Sequence, residues 1–166
     1  MFLSPKTKES RFKAVRRQMA EQGLDVVIAR GSSAVRGGGA AFRFLTDFPN
    51  INIPLVVIFF REPARAPVLL VESRFQAMRA AKDSWAGDIR LSTNFFHALT
   101  EVLREANVDH GAVGIDGLHN FPFLWGQRLE EIFPGMTLTE FSPILKKLRA
   151  YRTPGRSSWS KNQRRW

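Results

Sequence analysis

The chain has 166 residues, with 25 Lys and Arg against 15 Asp and Glu, 44% hydrophobic residues, 14 Phe and no cysteine. That length and composition suit one domain with a single buried core and exclude a disordered chain. The missing cysteines exclude disulfide scaffolds, thiol nucleophiles, cysteine-ligated zinc and iron–sulfur clusters. The longest apolar run, residues 53–60, is strand-sized and well short of the ~20 residues of a membrane span. Residues 1–17 carry charge where a signal peptide needs an apolar stretch. The expectation is a soluble, cytoplasmic protein with no membrane partner.

The net charge of +10 is unevenly placed. Residues 151–166 hold Arg152, Arg156, Lys161, Arg164 and Arg165 and no acid, so this short tail supplies +5. It also carries Trp159 and Trp166, and such a segment can bind phosphates and stack on bases. A stand-alone module whose basic tail engages nucleic acid or another polyanion is therefore the alternative reading. The primary expectation is an unstructured extension without nucleic acid.

Phe12, Val15 and Met19, with Lys8 a turn earlier, predict an amphipathic helix over residues 6–22, capped by Gly23. Residues 24–29 read as a buried strand, 31–39 as a glycine-rich loop, and 40–45 as a short helix before a turn at Asp47 and Pro49. Residues 54–60 and 67–71 predict a hairpin joined by 61–66. Residues 73–82 form the next helical pattern, with Ser73 as cap and Phe75, Met78 and Ala81 on one face. A strand at 88–91 and a helix at 94–106, with Phe95, Leu99, Val102 and Leu103 inward, come next. A strand at 112–115, a helix at 121–132, a strand at 136–140 and a helix at 143–151 complete the pattern. Strands alternating with amphipathic helices predict an α/β fold: a mixed β-sheet with helices on both faces.

Signals for chemistry are sparse. The strand before Gly37 and Gly39 suggests a dinucleotide loop, but Phe42 occupies the third glycine position, and no phosphate-binding Gly-Lys-Ser/Thr sequence exists. His97, His110 and His119 lack the spacing of a paired helical metal site; His110, Asp116 and His119 are the one combination close in sequence. Ser32 and Ser33 sit in no nucleophile elbow, and Glu130–Glu131 fits a solvated helix face. No catalytic and no metal-ligating residue is assigned. Arg36 and Arg43 flank the small-residue loop, and their forked guanidinium groups suit a carboxylate.

Three segments in order carry a likeness: Glu21–Gln22–Gly23–Leu24–Asp25–Val26–Val27–Ile28, then Phe42–Arg43–Phe44–Leu45–Thr46–Asp47–Phe48, then Leu145–Lys146–Lys147–Leu148–Arg149–Ala150–Tyr151–Arg152–Thr153–Pro154. Together they resemble the N-terminal domain of the creatinase/prolidase/aminopeptidase P family, over about residues 8–154. Asp47 stands where that family usually has Gly, and Arg152 where it has Lys. The resemblance implies a ribonuclease-H-like α/β domain ahead of a larger "pita-bread" domain, in which Asp, His and Glu residues hold two divalent metal ions. It also implies a homodimer in which the N-terminal domain lends loop residues to the partner's substrate pocket. By that likeness Arg36, Phe42 and Arg43 are the candidate substrate or partner contacts, with no cofactor in this chain.

The expected organisation is a domain over residues 1–154 and a basic disordered tail over 155–166. Codons compatible with Gly155 to Trp166, read two bases along, give Glu-Ile-Glu-Leu-Val-Lys-Lys-Ser-Ala-Glu-Val. This is close to the helix with which family members continue. The tail is therefore read as a frameshifted end that separates the domain from its metal-binding catalytic partner, a Xaa-Pro peptidase type of hydrolase.

Overall fold

The computed structural model describes residues 4–31, 39–49 and 54–150. Arg36, with the rest of residues 32–38 of its glycine loop, and the basic tail lie outside those residues. Ser4 opens the first helix, α1 (Pro5–Glu21): its hydroxyl accepts the Thr7 N–H, and Pro5 sits where no intrahelical donor is needed. The helix ends in a paired cap. Gly23 takes φ +67°, its N–H donates to Ala20 O at 3.1 Å, and the Leu24 N–H reaches back to Met19 O at 2.8 Å.

The chain then runs β1 (Val26–Gly31), α2 (Ala40–Thr46), β2 (Leu55–Phe60), β3 (Val68–Val71), α3 (Arg74–Asp83) and β4 (Asp88–Leu91). It continues through α4 (Phe95–Glu105), β5 (Ala112–Asp116), a 3-10 turn at Leu118–Asn120, α5 (Phe123–Ile132), β6 (Thr137–Glu140) and α6 (Ser142–Ala150). The six described strands form one sheet, in the order β4-β3-β2-β1-β5-β6. β2 is antiparallel to both β1 and β3, as the predicted hairpin requires, while β3–β4, β1–β5 and β5–β6 pair in parallel. Among the described strands β2 alone points the other way.

Alternation along the central strands divides the core in two. Val27, Ala29, Val57, Phe59, Leu69 and Val71 face a layer made by Phe12, Val15 and Met19 of α1, Phe42 of α2, Ala80 of α3 and Leu145 of α6. Val26, Ile28, Val56, Ile58, Leu70 and Val113 face Leu99, Val102 and Leu103 of α4 and Leu129 of α5. Helices therefore cover both faces, and strands buried on both sides read as continuous apolar runs. No helix among the described residues is long and apolar enough to cross a membrane.

One helix is turned from its expected phase. Phe75, Met78 and Ala81 of α3 face solvent, with Phe75 68% and Met78 73% exposed, whereas Gln76 and Ala80 are buried. A capping box causes this. Gln76 N–H donates to Ser73 Oγ at 3.2 Å, and Gln76 Oε1 accepts the N–H groups of Glu72 and Ser73 at 3.0 Å each. Satisfying those donors draws Gln76 inward and rotates Phe75 and Met78 out.

Candidate functional site

With β2 alone reversed, the C-terminal ends of β1, β3, β4, β5 and β6 share one edge of the sheet. In open α/β sheets that edge is where ligands bind. Here it collects the connections into α3, α4, α5 and α6. It also concentrates exposed apolar side chains: Phe75 in the first turn of α3, Leu91 at the end of β4, and Phe123 and Leu124 in the first turn of α5. Phe123 is 76% and Leu124 62% exposed, beside a cleft of about 410 Å3 with Phe96 and Trp125 as aromatic walls and Asn94 and Arg128 as polar lining.

The aromatic wall is held by stacking. Trp125 meets Phe121 edge-on at 5.8 Å and Phe96 at 5.7 Å between ring centroids. Arg30, at the end of β1, lies over the Trp125 ring at 5.7 Å and donates to the Asn120 carbonyl at 3.1 Å. Burial lowers the pKa of this guanidinium, a mark of its partial removal from water. Arg128 lies over the Phe96 ring at 6.0 Å.

A polar knot lies beside this wall, at the ends of β5 and β6. Glu140 accepts the N–H groups of Ser142 at 2.9 Å, Leu118 at 2.9 Å and Gly117 at 3.3 Å. Burial opposes its ionisation, but these bonds and Ser142 outweigh it and hold the carboxyl below its usual range. Neighbouring Asp116 is pushed up, first by burial and then by the Glu140 charge, against the hydrogen bond from Ser142. With three N–H donors on one carboxylate, the knot fixes the β5-to-turn backbone.

The sequence candidates separate in space. Arg43 is exposed on α2, whereas Phe42 is fully buried and in this conformation presents no surface to a ligand. Its carbonyl accepts the Thr46 hydroxyl at 2.9 Å. His110 precedes β5, Asp116 is its last residue and His119 follows it, so the strand holds His110 at the opposite end from the other two. His119 Nδ1 is 3.9 Å from Glu140 and its Nε2 is 2.8 Å from the Asn120 amide. Among the described residues no group of three or more His, Asp or Glu side chains converges to hold a metal. These described residues do not fit a dinuclear centre. Glu130 and Glu131 are exposed on α5.

Sequence reasoning missed Arg30, Glu140 and Ser142. Their signal was positional: each lies at or just beyond the C-terminal end of a strand that is parallel to its neighbour.

A six-stranded mixed sheet with β2 reversed and helices on both faces defines the class of α/β domain. Residues 11–151 match the Creatinase/Prolidase N-terminal domain, and the chain belongs to that family. No curated protein matches it. Among solved structures it is similar to an XXA-pro aminopeptidase from Streptococcus pyogenes, at 23% identity and TM-score 0.66, covering 88% of this chain and 100% of that one. It is also similar to the N-terminal domain of the cytoplasmic peptidase PepQ from Mycobacterium tuberculosis, at 20% identity and TM-score 0.63, covering 84% and 98%. Against X-Pro aminopeptidase from Thermotoga maritima the TM-score is 0.67 at 12% identity, covering 87% of this chain and 37% of that chain.

Proposed function

We propose that the chain is a non-catalytic domain of a cytoplasmic Xaa-Pro peptidase type of hydrolase, serving dimerisation and the shaping of a substrate pocket. The observation that carries this reading is the strand-end edge. Phe123 and Leu124 project into solvent beside an aromatic cleft, and burying such a patch against a second copy is favourable. The family membership and the peptidases among the similar structures supply the chemistry. In this reading the cleavage, and the divalent metal ions that would supply its Lewis-acid chemistry, belong to a separate catalytic domain. Arg36 and Arg43 remain the candidates for gripping a substrate or partner carboxylate.

Sedimentation equilibrium on the full chain and on Phe123→Ser/Leu124→Ser tests the docking role. We expect a concentration-dependent dimer that the double substitution dissociates, and no hydrolysis of Xaa-Pro dipeptides with added divalent metal. Turnover by the purified chain, or a dimer indifferent to the substitutions, overturns the reading. Reading the gene in three frames from the Tyr151 codon tests the frameshift. An open segment encoding the Asp, His and Glu ligands supports it, and its absence overturns it.

A further inference from the structure

α1 and α6 enclose a second groove, of about 390 Å3, on the sheet face they share with α2. Its floor is apolar: Ala14 of α1, Phe44 of α2, and Ile144 and Leu148 of α6. Its walls are basic: Arg11, Arg17, Lys147 and Arg149 line it and, among the described residues, no carboxylate does. α6 contains no acid at all, and on α1 Glu21 stands 3.7 Å from Arg17 in an exposed pair of small energetic weight.

The lining residues recur at helical spacing. Positions 10, 14 and 17 on α1 and 144 and 148 on α6 mark two facing rows, with the small Ala14 in the middle of its row. The Arg11 charge is fixed in place. Arg11 is only 7% exposed, and its guanidinium stacks on Phe44 at 4.8 Å and Trp85 at 5.3 Å. Both walls are helices whose interior backbone groups are already paired. They offer nothing to an extended peptide, which needs a strand edge. A partner whose own backbone is satisfied suits such a surface, and the basic walls select its charge.

We propose that the α1–α6 groove receives an acidic amphipathic helix from a partner chain. Its apolar stripe sits on Ala14, Phe44, Ile144 and Leu148, and flanking carboxylates meet Arg17, Lys147 and Arg149. The reading is independent of dimerisation through the strand-end edge.

The probe is a fluorescein-labelled helix of about 14 residues built from Glu, Ala and Leu, with Leu at i, i+3, i+4 and i+7. Its anisotropy is measured against the full chain. A scrambled peptide of equal composition controls for plain charge attraction to the basic tail. We expect the patterned peptide to bind about tenfold more tightly than the scrambled one, and Lys147→Glu/Arg149→Glu to weaken it by about tenfold. A counterpart with Lys in place of Glu should bind the charge-reversed chain and not the parent. This swap separates recognition from misfolding, because a misfolded variant gains no new ligand. Equal binding of the scrambled peptide, an unchanged affinity for the variant, or no binding by either peptide overturns the proposal.

Discussion

Ser142 Oγ donates to Asp116 Oδ1 at 2.9 Å while accepting the Gly117 N–H at 2.6 Å, so one hydroxyl ties the end of β5 to the start of α6. Removing it leaves a half-buried N–H and a carboxyl without this partner. Ser142→Ala should cost about 1–3 kcal/mol in urea unfolding at neutral pH. The two carboxyls beside it titrate oppositely. Glu140 lies below its ordinary value, so its contribution is present above that value and lost as pH falls through the folded one. Asp116 lies above its ordinary value, so its contribution is full below the unfolded value and lost as pH rises through the folded one. Asp116→Asn keeps an acceptor for Ser142 and should remove that loss. Stability measured from acid to neutral pH should rise relative to the parent across this window. A parallel offset at every pH would show that Asp116 is not the titrating group.

Two glycines predict opposite outcomes for the same substitution. A Cβ on Gly114 would stand 2.8 Å from Leu24 Cδ1 and 3.1 Å from Phe141 Cβ, both in side chains about 1% exposed. β5 therefore needs glycine where α6 and the β1 entrance close over it, and Gly114→Ala should cost about 1–3 kcal/mol. Gly126, in α5, has only Leu138 Cδ1 at 4.0 Å from the same added carbon. Gly126→Ala should add up to about 1 kcal/mol through helix propensity alone. Chemical denaturation of the two variants checks both signs.

The elements were legible because their signals are local. Gly23 after an amphipathic run, Ser73 before one and Asn94 before another each terminate or start a helix where the structure has it. The run Leu55–Phe60 is apolar at every position because both faces of β2 are covered, and alternating elements then dictate an α/β sheet. The orientation of α3 was not legible. Phe75 and Met78 outrank Gln76 in hydrophobicity, but three backbone hydrogen-bonding groups near Ser73 decide the phase. The site was least legible. Arg30, Glu140 and Ser142 are scattered over more than a hundred residues and meet near one edge only because β1, β5 and β6 are adjacent and parallel. No spacing rule along the chain encodes that adjacency.

Arg90 holds the outer strand to a helix. On edge strand β4, its guanidinium meets Asp88 at 2.8 Å and Glu105, the last residue of α4, at 2.6 Å and 2.9 Å. Its hydrogen bonds to Glu105 and Asp88 raise its own pKa further, and the Glu105 carboxyl is lowered in return, first by its bond to Arg90. Glu105 is 55% exposed, so water screens the pair and the fork is worth about 1 kcal/mol. The larger consequence is local. Among the described strands β4 has a neighbour on one side only, and it is partly buried from Asp88 to Arg90 and exposed at Leu91. Arg90→Leu should leave global unfolding nearly unchanged while amide exchange of Ile89 to Leu91 accelerates, with β1 and β2 unaffected. The ion pairs weaken with salt, so raising ionic strength should narrow the difference between parent and variant. Equal β4 exchange rates in the two proteins at low salt would show that pairing with β3 alone keeps this strand closed.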